Sequence, residues 1–331
     1  MKADKIHFIK KMILFCILLT ISFALLNWIY CATILPKSSL EKTNTQFKNS
    51  LENIDIIFMG ASHTKTAINP LIINKSFNFG ANAENYILTY YKFRTILNSY
   101  TSNIQTVVLP LDLHVFSPYL TTRFENDWYW RKYIDFKELA NFTNESIFKK
   151  EIKSIFPLLD SGSDLIELLM RRKTSKIVKG HILSLERFSN AQNRTQLAAN
   201  TAKRHLEYSQ IIKQDAFLYF KKIIELANRR EVTVILIKYP VTKEYFIASK
   251  KYIADTEEFY KKIVNKIYKY NNVYILDYQK LFFDKNDLFK DDNHLNKWGA
   301  EILSKQVAKD LEKIKLNIML NNQISDFINQ K

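Results

Sequence analysis

From Met12 to Pro36 the chain runs 25 residues without a charged side chain, and no other feature restricts its folding as much. About 20 apolar residues are enough to cross the hydrocarbon layer of a bilayer, and Trp and Tyr favour its interfaces. Trp28 and Tyr30 stand near the far end of the run, and Lys2, Lys5, Lys10 and Lys11 precede it. A basic flank stays on the cytoplasmic side, so the rest of the chain is expected outside, in a periplasm or at a cell surface. The competing reading is a cleaved signal peptide. Such segments have a shorter apolar region and a small-x-small cleavage site, and neither fits well. A buried core helix leaves the basic flank and aromatic end without explanation. The expected organisation is a cytoplasmic basic tail at 1–11, a single transmembrane anchor at 12–36, a stalk or early helix at 37–53 and a folded domain at 54–331.

Both cysteines, Cys16 and Cys31, fall inside the apolar run. The outer domain therefore has no disulfide, no thiol nucleophile and no iron–sulfur ligand. Net charge is +16, of which the first eleven residues supply +3, leaving about +13 for the rest. Basic residues gather at 149–153, at 171–176 and at Lys250 and Lys251. One reading is attraction to anionic headgroups or an acidic polymer beside the membrane. The other is lysine-rich, solvated helix faces. Nucleic acid is not expected as a partner outside the membrane.

Strand-like apolar runs recur at 54–59, 77–79, 106–111, 232–238 and 273–276, with helix-like stretches at 85–97 and 214–228 between them. The C-terminal stretch from Lys297 to Leu316 places Ala300, Leu303, Val307, Leu311 and Ile314 on one side, which is helical spacing. Strands alternating with helices predict an α/β fold with a central parallel sheet. Between about 117 and 215 no strand is evident. The segment is aromatic early, at Trp128, Tyr129, Trp130, Tyr133 and Phe136, then helical and basic. It reads as a helical insertion, either a cap that carries specificity or extra helices with no substrate role.

Two short segments carry the chemistry. Gly60-Ala61-Ser62-His63-Thr64 follows the first strand-like run, and Asp291-Asp292-Asn293-His294-Leu295-Asn296 precedes the last helix. A serine hydroxyl attacks at neutral pH only when a base takes its proton and a third group orients that base. Asp291 and His294 stand at i and i+3, a spacing that brings side chains together on a helical turn. Ser62 as a plain helix N-cap, His294 as a loop histidine and Asp292 as a rival to Asp291 are the alternatives. His63 adjoins Ser62, and neighbours on a turn point apart, so it is a poor base. Asp112 and His114 read as loop residues that are structural or line the site. A metal centre from Asp291, Asp292 and His294 is not expected, because the remaining histidines lack ligand spacing.

Ile57-Phe58-Met59-Gly60-Ala61-Ser62-His63-Thr64 with Ile68-Asn69-Pro70 resembles the first block of membrane-anchored SGNH/GDSL-type hydrolases. Asn78-Phe79-Gly80 resembles their second block, and Phe289 to Asn296 with Gly299-Ala300 their last. Asp277, after the last strand-like run, suits the approach to that block. The resemblance implies a flavodoxin-like three-layer sandwich, a Ser62–His294–Asp291 triad and an oxyanion hole formed by the N–H groups of Ser62 and Gly80. The family's third oxyanion donor is an asparagine after the third strand. Here that place reads Leu109-Pro110-Leu111-Asp112-Leu113-His114, so Asn82 is the candidate substitute. Loss of one such donor typically costs about 10²–10³ in turnover.

Likeness to the family's envelope branch implies a serine esterase or O-acyltransferase acting on a cell-envelope polysaccharide or acylated polymer. It needs no cofactor and has a membrane-bound O-acyltransferase as a possible partner. The alternative is a catalytically silent binding or assembly module of an envelope polysaccharide modification system.

Overall fold

The computed structural model describes residues 2–99, 103–139, 142–143, 145–161, 177–207, 214–253, 255–267 and 269–329. The chain divides into two compact units, Met1–Lys42 with Phe124–Thr174 and Thr43–Arg123 with Ser175–Lys331.

The second unit is built on a parallel sheet of β1 (Ile56–Phe58), β2 (Ser76–Asn78), β3 (Thr106–Pro110), β6 (Thr233–Lys238) and β7 (Val273–Asp277). Their order is β2-β1-β3-β6-β7. Register is set by pairs such as Ile57 with Val107 and Val107 with Val234. Val107, Val108 and Leu109 on β3 and Val234 to Ile237 on β6 have no solvent exposure. Strands covered on both faces read as continuous apolar runs, which is why these were legible. Phe58, Val108, Ile235 and Ile237 pack with Leu303, Val307 and Leu311 of the C-terminal helix Lys297–Asn329. The residues between them turn to the other face by the two-residue period of a strand. The helices Tyr86–Ser99 and Gln214–Arg229 pack together, with the Tyr86 and Phe220 rings 5.0 Å apart. This is the three-layer α/β sandwich expected from the sequence, in its flavodoxin-like order.

Two short strands inside 117–215 escaped the sequence. β4 (Ile177–Val178) and β5 (His181–Ile182) form an antiparallel hairpin of two residues each, too short to show a period. Its turn has Lys179 at φ 44° and Gly180 at φ 82°, the left-handed pair that a two-residue hairpin favours. A Cβ on Gly180 would lie 1.7 Å from the Asn78 carbonyl oxygen, so this turn presses directly on the end of β2. The segment 37–53 is helical over Ser39–Ser50. Phe47 there stacks on Phe79 at 4.2 Å and meets Phe77 edge-on at 5.3 Å.

The first unit holds the N-terminal helix Lys2–Thr33 and the short helices Asp127–Trp130, Phe136–Leu139 and Ile147–Ile155. Trp128, Tyr129, Trp130 and Phe136 are buried, so the early aromatic run of the insertion is core. The N-terminal helix is long and apolar enough to cross a membrane. The basic cluster at 171–176 lies outside the described residues.

Candidate active site

The sheet order reverses at β1: β2 lies on one side of it and β3 on the other. Ligands in open α/β sheets bind beyond the carboxyl ends of the strands at such a point. Gly60 makes the turn after β1 possible. Its φ is +125°, and a Cβ there would stand 2.6 Å from the Pro110 ring, so only glycine lets the chain pass β3 this closely. The helix Ser62–Ala67 starts directly after the turn, with Ser62 partly exposed at its first position. Asn78, fully buried at the end of β2, donates to the carbonyls of Thr64 at 2.7 Å and Ile68 at 2.9 Å. The short helix is thereby fixed to the sheet.

The other half of the site sits in a narrow loop. Phe289 bridges Leu295 in antiparallel fashion, and Lys290 N–H donates to the His294 carbonyl at 2.9 Å. Asn296 holds the base of the loop. Its amide donates to the carbonyls of Glu186, Asp287 and Phe289, and its oxygen accepts the N–H groups of Trp298 and Gly299, both at 3.1 Å. The same residue therefore caps the C-terminal helix.

Within this loop Asp291 accepts from the backbone of Asn293 at 3.2 Å and of His294 at 2.8 Å. The two side chains thus meet on a side-chain-closed turn, not on the helical turn that their spacing suggested. His294 Nδ1 lies 2.9 and 3.0 Å from the two Asp291 oxygens, and His294 Nε2 lies 2.8 Å from Ser62 Oγ. The structure brings Ser62, His294 and Asp291 into one hydrogen-bonded line.

The electrostatics suit a base. Burial pushes the His294 imidazole below its ordinary range, outweighing the attraction of Asp291, so the ring is neutral at pH 7. Burial also opposes ionisation of Asp291, but the facing imidazole, Lys290 and the Asn293 N–H outweigh it and keep the carboxylate charged. A charged carboxylate only accepts hydrogen bonds. The proton therefore sits on Nδ1, and Nε2 presents its lone pair to the Ser62 hydroxyl. Asp292 faces elsewhere. It accepts from Thr201 Oγ1 at 2.7 Å, and its carbonyl accepts from Thr242 N and Oγ1 at 3.1 and 2.7 Å. Burial raises its carboxyl to about 6. Asp292 anchors the loop and does not touch the imidazole.

The proposed oxyanion donors are placed as follows. The Ser62 N–H is in the first turn of its helix, where backbone donors have no intrahelical acceptor. The Gly80 N–H donates to Asn78 Oδ1 at 3.2 Å. Asn82 is exposed, and no hydrogen bond among the described residues joins it to Ser62. The place after β3 where the sequence lacks an asparagine is filled by Asp112, which is 5% exposed.

Asp112 belongs to a network that sequence reading missed. Its Oδ2 lies 2.8 Å from His63 Nδ1, and its Oδ1 accepts the Tyr239 N–H at 2.9 Å. The His63 ring stands edge-on to His294 at 5.0 Å and to His114 at 4.5 Å, and His114 stacks on His205 at 5.1 Å. With its amide nitrogen facing the acids, Asn293 donates to Asp291 Oδ1 at 3.1 Å and accepts from His63 Nε2 at 3.2 Å, and the same nitrogen stands 2.9 Å from His294 Nδ1, in competition with Asp291 for that ring atom. A chain of contacts thus runs from the buried Asp112, His63 and Asn293 to the partly exposed Asp291 and His294. Burial first, then the neighbouring imidazoles, holds His114 and His205 well below the ordinary histidine value. The signal in the sequence was an Asp-x-His directly after β3, matching Ser-His directly after β1, because adjacent strands deliver both to one place. Among the described residues, His63, Asp112 and His114 have donor atoms within 4.8 Å of one another and are the group placed to hold a cation. Both Asp112 oxygens, however, are already engaged by His63 and the Tyr239 N–H.

No family model and no curated protein matches the chain. Solved structures similar to it include a protein named as a platelet activating factor from Streptococcus pneumonia. It is 13% identical with TM-score 0.42, over 87% of this chain and 99% of that one. An acylhydrolase-named protein from Bacteroides fragilis is 13% identical with TM-score 0.36, over 82% and 96%. A GDSL-like lipase from Bacteroides thetaiotaomicron is 12% identical with TM-score 0.38, over 84% and 100%. The sheet order of this chain is that of a flavodoxin-like α/β sandwich.

Proposed function

We propose that the chain is a membrane-anchored serine acyl-ester hydrolase or O-acyltransferase of the SGNH/GDSL type, acting outside the cytoplasmic membrane on a cell-envelope glycan or acylated polymer. The observation that carries this reading is the 2.8 Å contact from Ser62 Oγ to His294 Nε2, continued from Nδ1 to Asp291. Ser62 Oγ attacks the ester carbonyl carbon while its proton passes to Nε2. Asp291 stabilises the imidazolium that forms. Negative charge collects on the former carbonyl oxygen, which the Ser62 N–H faces. The Gly80 N–H joins only by releasing Asn78 Oδ1. Collapse expels the alcohol, which takes the proton from Nε2, and leaves an acyl group on Ser62. Water or a sugar hydroxyl then gives its proton to Nε2 and attacks that acyl group; collapse breaks the bond to Ser62 Oγ, which takes the proton back from Nε2, and releases a free acid or a new ester.

The N-terminal helix supports single-pass anchoring, and the lysines before it support a cytoplasmic N-terminus. A membrane-bound O-acyltransferase is a partner compatible with this placement. A second reading, a binding or assembly module without turnover, is favoured by two observations: the Gly80 N–H is engaged by Asn78, and a carboxylate stands where an oxyanion donor was expected.

Fluorophosphonate labelling of the full chain in detergent separates the two. Labelling that is lost in both Ser62→Ala and His294→Ala supports an activated serine. A folded wild type that takes no label supports the binding module. Product analysis with an acylated envelope polymer then distinguishes released acid from transferred ester.

A further inference from the structure

The helix Ile147–Ile155 in the first unit is inside out for a helix in water. Lys150 on it is 1% exposed, with its ammonium 3.0 Å from Asp127 and 3.4 Å from Glu145. Phe148 is 74% exposed, Ile155 60%, and Leu159 in the following turn 50%. Phe148, Ile152 and Ile155 fall at i, i+4 and i+7, a stripe along the helix, and Leu159 lies in the separate turn Pro157–Asp160 that follows. Large apolar groups face out while a charge is carried inside at the expense of desolvation. Contiguous apolar exposure of this kind marks an interaction surface.

The same segment states what that surface meets. The turn after the helix is tied to the N-terminal helix, where Asn27 Oδ1 accepts the Leu158 N–H at 3.2 Å and the Phe23 and Phe156 rings lie 5.5 Å apart. Asn27 adjoins Trp28, three residues before Tyr30, and Phe23 lies one turn deeper at the middle of the uncharged run; Trp and Tyr mark the level where hydrocarbon gives way to headgroups. A helix held at that depth, with its apolar stripe turned away from its own unit, has the geometry of an interfacial helix.

We infer that residues 147–159 lie in the outer leaflet, with Phe148, Ile152, Ile155 and Leu159 among the lipid acyl chains, as a second membrane contact beside the N-terminal span. This inference rests on the N-terminal helix being a span. The lipid seat orients the first unit against the membrane plane instead of leaving it to swing on a single helix.

The test uses the full chain with Cys16→Ser and Cys31→Ser, reconstituted in phosphatidylcholine–phosphatidylglycerol vesicles. Phe148→Cys, Ile155→Cys and Leu18→Cys variants each carry a nitrobenzoxadiazole probe. The expected result is that probes at 148 and 155 lose most of their emission to lipids with a nitroxide near the headgroup and little to aqueous iodide. The probe at 18 should instead be quenched by a nitroxide deep in the acyl chain. Iodide quenching at 148 and 155 with deep quenching at 18 overturns the inference and leaves the span intact. Shielding from both quenchers shows that protein covers the stripe, and also overturns it. Loss of deep quenching at 18 overturns the span, and the inference with it.

Discussion

Asp291→Asn tests the orientation of the base with the least disturbance. The amide oxygen can still accept the N–H groups of Asn293 and His294, which Asp291 Oδ1 now takes at 3.2 and 2.8 Å, so the loop keeps its shape. What changes is the atom facing the imidazole. An amide NH₂ towards Nδ1 makes that nitrogen an acceptor and moves the ring proton to Nε2, which then points a hydrogen at Ser62 Oγ. A wrong tautomer of this kind, with the geometry otherwise intact, lowers turnover by about 10⁴ where the carboxylate is buried. The Asp291 side chain is 42% exposed, and water screens part of its charge, so the expected loss here is smaller, about 10²–10³. The assay is the second-order rate of fluorophosphonate labelling, with circular dichroism and thermal unfolding alongside to confirm the fold. A rate equal to that of the wild type in a folded variant refutes the argument that Asp291 sets the tautomer.

The remaining predictions follow from burial and charge. Because burial lowers His294 from an ordinary 6.5, labelling should be at full rate at pH 7 and fall only in acid, with a midpoint below 6.5; a midpoint above 7 refutes this. Asp292 has a folded value of about 6 against an ordinary 3.8, so stability it contributes is present below pH 4 and lost as pH rises through 6. Asp292→Asn, which keeps an acceptor for Thr201, should therefore stabilise the chain at pH 7.5 by up to about 3 kcal/mol, with the gain vanishing below pH 4; urea unfolding at both pH values reads the difference. Lys92 and Glu84 form a pair with no solvent exposure, 2.5 Å apart, in which burial pulls the lysine down and pushes the acid up. Lys92→Met should cost about 3–5 kcal/mol by stranding Glu84, and Lys92→Met with Glu84→Gln should recover much of it; no recovery in the double variant argues against the pair as the cause.

The sheet was legible because its central strands are covered on both faces and carry apolar runs, as Val107 to Leu109 and Val234 to Ile237 do. Ser62, His294 and Asp291 were legible by residue type and by their positions at a strand end and before the last helix. Their contact was not, since it depends on the fold bringing the end of β1 to a loop 232 positions away, which Asn296 closes by bonding its neighbours and the distant Glu186 carbonyl. The network of His63, Asp112 and Asn293 was missed for a related reason. The residue types leave Asp112 open as a structural or a site-lining loop residue and make His63 only a neighbour of the serine, and it is the pairing of β1 with β3 that makes them meet. The hairpin 177–182 gave no period at all, and its turn residues alone signalled it.

Ser62 and His294 are 232 positions apart, and this separation has a consequence in time. A ribosome adding roughly 5–20 residues per second takes roughly 10–50 s to travel from one codon to the other. Throughout that interval the growing chain holds a serine with no base beside it. A copy that stalls, or is clipped before the last loop, carries an ordinary alcohol and no reactivity towards the esters around it. On the proposed function, the two ends of the second unit act as a completion check, because Ser62 meets its base only once the segment that carries His294 has been made and docked.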